Sequence, residues 1–220
     1  MLKKTTALPL LIALALATGV QAQTTTAPAA TATTSGAATA GKEAPGTPYI
    51  KSTSGDWELR CVHTADGHDP CQLYQLVKDK TNNPVAEFAI TDLPAGQAAV
   101  LGGTIVTPLE TMLPPGVHLK IDSAEEKSYD FLFCNRTGCV SRVGFTAKEA
   151  EAMKKGKDIT MTIVPVAAPD QPVQLTVSLK GFSDGIAEVT KINEANRAAV
   201  GKLTAPPKLT LPSVAPPAKK

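Results

Sequence analysis

The stretch of the chain richest in reactive groups is Cys61-Val-His63-Thr-Ala-Asp66-Gly-His68-Asp69-Pro-Cys71, where two imidazoles and two carboxylates lie between two cysteines. His63 and His68 could ligate divalent zinc or copper, with Asp66 or Asp69 as an oxygen ligand or as the group that orients an imidazole. The same residues also make a polar hairpin turn, with Asp66-Gly67 forming the bend and Asp69-Pro70 ending it. The turn is favoured, because a disulfide between Cys61 and Cys71 removes the thiolates that would strengthen a metal site. No metal is therefore assigned, and His63, His68, Asp66 and Asp69 stand as the candidates if one binds.

Cys134 and Cys139 complete a set of four cysteines, for which three pairings exist. Cys61–Cys71 with Cys134–Cys139 is favoured, since each pair brackets a short polar stretch between two strand-like runs. Cys134 and Cys139 could instead exchange electrons. Their spacing is not the Cys-x-x-Cys of thioredoxin-like enzymes, however, and no βαβ pattern surrounds them. A staple across the turn Asn135-Arg136-Thr137-Gly138 is the better fit.

Hydrolytic chemistry finds little to work with. There is no Gly-x-Ser-x-Gly, His118 follows a Pro-Pro-Gly turn without a nucleophile motif nearby, and Glu125-Glu126 reads as a solvated loop. Gly102-Gly103 lacks the pattern of a phosphate loop and suits a bulge or close crossing in a strand. No catalytic residue and no cofactor is assigned, and the chain is expected not to be an enzyme.

Something must hold these cysteines and loops in place, and the ends of the chain cannot. Lys3 and Lys4 precede the apolar run Ala7 to Ala17, too short for a membrane span and followed by Val20-Gln21-Ala22, so residues 1–22 read as a cleaved signal peptide. Residues 23–48 are Thr, Ala, Gly and Pro with almost no large apolar side chain, and read as a flexible linker. Residues 194–220 read as a Pro/Lys-rich flexible tail with no acid beyond Glu194, a segment that could contact an anionic surface or a proline-recognising groove. Loss of Lys3 and Lys4 leaves equal numbers of acidic and basic residues, so charge gives no support for nucleic-acid binding. No other stretch is apolar enough to cross a bilayer as a helix. Disulfides behind a signal peptide imply an oxidising compartment.

Every aromatic residue lies between Tyr49 and Phe182, which places the folded domain at 49–193. Its dominant signal is period-two alternation. Trp57, Leu59 and Cys61 share one face of a strand while Glu58 and Arg60 point away. Further strands are expected at 71–78, 85–91, 99–106, 117–121, 129–134, 139–145, 159–164 and 173–179, separated by Gly, Pro, Asn and Asp breakers. Such spacing favours an all-β sandwich or barrel. Thr146-Ala-Lys-Glu149 is a capping box that opens a helix over 147–155, stopped by Gly156. A second short helix is expected after Phe182, capped by Ser183, with Ile186, Val189 and Ile192 as its apolar stripe.

Four features in this order resemble the invasion-associated locus B proteins of Gram-negative bacteria. They are Gly55-Asp56-Trp57 with Cys61 beyond it, the returning Cys71 strand, Phe133-Cys134 through Gly138-Cys139-Val140 followed by a helix and Gly156, and Leu179-Lys-Gly181-Phe182. The resemblance implies an immunoglobulin-like β-sandwich with one or two short helices and two disulfides. It also implies a periplasmic location, or an outer-membrane-associated or secreted one. It transfers no catalytic residue. The expected function is a binding or accessory role in host-cell interaction or envelope integrity, with an unknown protein or glycan of the envelope or host surface as partner. The alternative is a periplasmic metal-binding or redox protein that uses the Cys61–Cys71 loop.

Overall fold

The computed structural model describes residues 44–204. The expected signal peptide, most of the expected linker and the tail beyond residue 204 lie outside them. Eleven strands and two helices follow in the order β1 (Pro48–Ser54), β2 (Trp57–Val62), β3 (Cys71–Lys78), β4 (Pro84–Asp92), β5 (Leu101–Thr107), β6 (Val117–Ile121), β7 (Lys127–Tyr129), β8 (Phe131–Asn135), β9 (Gly138–Phe145), α1 (Ala147–Lys155), β10 (Asp158–Ile163), β11 (Val173–Ser178) and α2 (Phe182–Thr204). They form a seven-stranded sheet, β1-β2-β3-β4-β5-β9-β8, and a four-stranded sheet, β11-β10-β6-β7. All pairings are antiparallel. Two sheets over one core, with two disulfides, is the immunoglobulin-like sandwich expected.

Alternation decides which face is inside. Trp57, Leu59, Leu73, Phe88, Ile90 and Ile105 of the larger sheet meet Leu119, Ile159, Met161, Leu175 and Val177 of the smaller one. Trp57 is fully buried, its ring 5.5 Å from that of Phe182 and 6.2 Å from that of Phe88. Its indole N–H donates to the Ser178 carbonyl at 2.8 Å and so ties the two sheets. Truncating such a side chain to Ala costs about 3–5 kcal/mol.

The glycine motifs on either side of that contact are packed against each other. Gly55 has φ +58 and Gly181 φ +82, and a Cβ on either would collide with the other turn's backbone, at Lys180 and Ser54 respectively. The Asp56 amide donates to the Lys180 carbonyl at 3.1 Å, and the Ser178 hydroxyl donates to Asp56 Oδ2 at 2.7 Å. Two of the four fragments that carry the family resemblance are thus one structural latch.

Helix α1 begins at its capping box, with Thr146 as N-cap and Glu149 returning to the Thr146 amide. Helix α2 differs from expectation in three ways. It starts at Phe182 rather than after a Ser183 cap, it is 23 residues long rather than short, and it passes through the boundary expected at Asn193 to reach Thr204. The reason is packing: Phe182, Ile186 and Val189 enter the core, and beyond them Asn193 is held by polar partners at the ends of the strands, which keeps the helix on the domain. The linker boundary also moves. Gly46 donates to the His63 carbonyl at 2.7 Å, His63 donates to the Thr47 carbonyl at 3.0 Å, and β1 begins at Pro48.

Candidate functional site

The Cys61–Cys71 hairpin joins β2 to β3. Cys61 and Cys71 are directly opposed, bonded, and both buried. Their burial shields the sulfurs from an attacking thiolate, which opposes the redox use of this loop. The turn itself runs from Thr64 to Gly67, whose amide donates to the Thr64 carbonyl at 3.3 Å.

Asp69 organises the turn. Its Oδ1 accepts from the Thr64 amide at 2.7 Å and the Thr64 hydroxyl at 3.0 Å, while Oδ2 accepts from the Tyr49 hydroxyl at 3.0 Å and lies 3.1 Å from His63 Nδ1. The Thr64 amide foremost, then its hydroxyl, the Tyr49 hydroxyl and His63, hold the Asp69 carboxyl below its ordinary range against partial desolvation. The His63 ring also stacks on Tyr49, with centroids 4.2 Å apart. Asp66 Oδ1 accepts from the His68 amide at 3.1 Å, so Asp66 shapes the bend. Of the four metal candidates, then, His63 and Asp69 are brought together as part of a polar turn. No group of three His, Cys, Asp or Glu able to hold a metal occurs among the described residues.

The second hairpin is tight. Asn135 and Gly138 face each other, and Asn135 Oδ1 accepts from the Thr137 amide at 2.8 Å, so Asn135 acts through turn chemistry. Cys134 and Cys139 are bonded across it. His118 is engaged by Glu126 at 3.1 Å and by the Pro115 carbonyl at 3.0 Å.

What the local pattern did not reveal lies on the outer face of the seven-stranded sheet, beside the first hairpin. A cleft of about 630 Å³ opens there, lined by Arg60, Gln72, Tyr74, Glu87, Thr104 and Asn196 among others. The Arg60 guanidinium sits 3.3 Å from the Tyr74 ring centroid and is held by Glu58 at 2.7 Å. Burial, and then the charge of Glu87, push the Tyr74 hydroxyl above its ordinary range, so it is a neutral donor at physiological pH. Helix α2 closes one side: Asn196 donates to the Asp69 carbonyl at 2.7 Å, and Arg197 reaches the buried Asp92 carboxylate at 2.5 Å.

The cleft is lined by amide, hydroxyl and charged side chains, among which Arg60 is paired with Glu58, Asn196 with the Asp69 carbonyl and Arg197 with Asp92. Its sequence signal was faint. Asn193 and Arg197 continue the core-facing side of α2 beyond Ile186 and Val189, where polar residues at helical spacing announce a buried polar partner.

The fold has counterparts in known proteins. The chain is 29% identical over 149 residues to an invasion protein B homolog of Brucella abortus (strain 2308), spanning 66% of this chain and 84% of that one. A second such homolog, from Brucella abortus biovar 1 (strain 9-941), matches to the same extent. The crystal structure of invasion associated protein B from Bartonella henselae superposes with a TM-score of 0.55 at 19% identity, covering 65% of this chain and 97% of that one, which speaks to the fold. The model of the Invasion associated locus B (IalB) family matches residues 57–190, from Trp57 into α2, and the chain belongs to that family.

Proposed function

We propose that this protein works outside the cytoplasm as a non-enzymatic binding protein, either in the periplasm or at the outer membrane or secreted. Its ligand is a protein or glycan of the envelope or of a host surface, and its role lies in host-cell interaction or envelope integrity. The observation that carries this reading is the outer-face cleft, built on a sheet whose neighbouring hairpin is pinned by a buried disulfide and by α2. A preformed site of that kind binds without paying to order itself. The two disulfides fit an oxidising compartment, and no helix among the described residues is long and apolar enough to cross a membrane. The Brucella relatives are invasion protein B homologs, which supports the link to invasion.

The test is complementation of a deletion strain with Gln72→Arg and Thr104→Arg variants, which fill the cleft from the exposed sheet face. Host-cell entry and sensitivity to detergent are scored, and fractionation places the protein. Loss of complementation by folded variants is expected. Full complementation, or turnover of a substrate by the purified protein, would sink the reading.

A further inference from the structure

Two opposite charges on the outer face of the seven-stranded sheet, Glu87 and Arg142, have no ion-pair partner among the described residues. Along β4 the buried Ala86 and Phe88 point into the core, so Glu87 points outward, where it lines the cleft. The other charges lining the cleft are neutralised, Arg60 by Glu58 and Asp92 by Arg197. Burial first, and then the charge of Glu87, keep the neighbouring Tyr74 hydroxyl protonated, so the phenol adds no charge of its own. Arg142 stands at the rim. It lies on β9 between the buried Ser141 and Val143, and is itself exposed.

The strand register fixes where the two charges stand. Glu87 is level with Val106 and Val106 with Val140, whereas Arg142 is level with Thr104. From β4 through β5 to β9, and two residues along, the Cα atoms of Glu87 and Arg142 are about 12 Å apart on the diagonal. Ala89, Thr104 and Val106 occupy the ground between them, and all three are small. A neutral glycan laid there would leave both charges bare, and an acidic one would answer Arg142 while being repelled by Glu87. A peptide carries an ammonium and a carboxylate together, and the ends of an extended tripeptide are about 10 Å apart.

We propose, resting on the reading of this cleft as the binding site, that it takes a short peptide lying across the sheet, its ammonium group on Glu87 and its carboxylate on Arg142. Both contacts are charge-assisted hydrogen bonds, and the planar guanidinium matches a carboxylate in two places at once. The Thr104 hydroxyl lies between the two ends, within the span of the peptide's own amides. A peptide laid in the opposite direction sets like charge against like at both ends, so the pair also fixes its polarity.

The test is NMR titration of the full mature chain with trialanine, followed at the amides of Glu87, Thr104 and Arg142. Saturable shifts are expected at all three. Acetylating the amino end of the peptide, or amidating its carboxyl end, should weaken binding by about threefold or more, the size of one half-exposed ion pair. Glu87→Gln should weaken trialanine binding to the same degree and make it indifferent to acetylation; Arg142→Gln should make it indifferent to amidation. Both variants should keep the circular dichroism spectrum of the parent. Trialanine that shifts none of these amides, equal binding of the three peptides, or a variant still sensitive to modification of the matching end would each overturn the proposal. Saturable shifts with the neutral glycan triacetylchitotriose and none with trialanine would do the same. The role of the cleft is judged apart from this, by complementation with Gln72→Arg and Thr104→Arg. If those variants fail to complement while trialanine fails to bind, the peptide inference falls and the binding-protein reading stands.

Discussion

Asn193 satisfies both main-chain groups of Cys71: the Cys71 amide donates to Asn193 Oδ1 at 2.9 Å, and the Asn193 side-chain amide donates to the Cys71 carbonyl at 2.9 Å. A helix side chain here does what a neighbouring strand would do. The same amide nitrogen reaches Asp92 at 2.7 Å, and Arg197 completes the charge pairing of that buried carboxylate. Through this network α2 holds the first disulfide and one wall of the cleft.

Asn193→Ala strands buried donors and acceptors at Cys71 and Asp92 together. Each unsatisfied group costs about 1–3 kcal/mol, so a loss of roughly 2–4 kcal/mol is expected in urea denaturation, with an unchanged slope. A loss below about 0.5 kcal/mol would show that water takes the place of the amide.

The glycine latch predicts a contrast between positions of similar backbone conformation. Gly67, with φ +76, has open space around it, whereas Gly55 and Gly181 have backbone where a Cβ would stand. Gly67→Ala should cost only the conformational strain of about 1–2 kcal/mol. Gly55→Ala or Gly181→Ala should cost clearly more, because the two turns must separate and loosen the Trp57 contact. Thermal melts of the three variants decide it; equal costs would mean that the latch yields freely.

Acid should release the first hairpin before it affects the core. The Thr64 amide and the other donors hold the Asp69 carboxyl below its usual pKa of about 3.9, so these contacts are fully present above that pH. They are lost as pH falls through the lower, folded-state value. The Thr64 amide resonance followed by NMR should stay constant from neutrality to about pH 5 and move only in that acid range. Asp69→Asn should abolish the acid step, and a midpoint above about 3.9 would contradict the assigned contacts.

The two disulfides should differ in what they contribute. Cys61–Cys71 closes the longer loop, with a separation of 10 against 5, and both its cysteines are buried, whereas Cys134 is exposed. Replacing Cys61 and Cys71 with Ala should cost about 2–4 kcal/mol, and replacing Cys134 and Cys139 less. Peptide mapping without reduction should recover both short-range linkages.

Much of the fold was legible because its causes are local. Alternation along Trp57–Val62 or Val117–Ile121 states which side chains face inward, and Thr146 with Glu149 states where α1 starts, since every interaction involved lies within a few residues. Two hairpin disulfides follow from the same short range. The strand expected at 129–134 is in fact two, broken at Asp130, because the chain changes sheets there and alternation does not register which sheet a strand joins. β1 was missed for a related reason: its only large apolar residues are Tyr49 and Ile50, and pairing with β2 holds it.

The sequence by itself thus determined most of the strands, the first helix, the cysteine hairpins and the polar character of the His63–Asp69 turn. Only the tertiary structure decided the length of α2, the Asp92–Asn193–Arg197 network, the latch between Gly55 and Gly181, and the cleft under Arg60 and Tyr74. Those features join residues far apart along the chain, and their energy comes from burial and from partners supplied by other elements, neither of which any local period encodes.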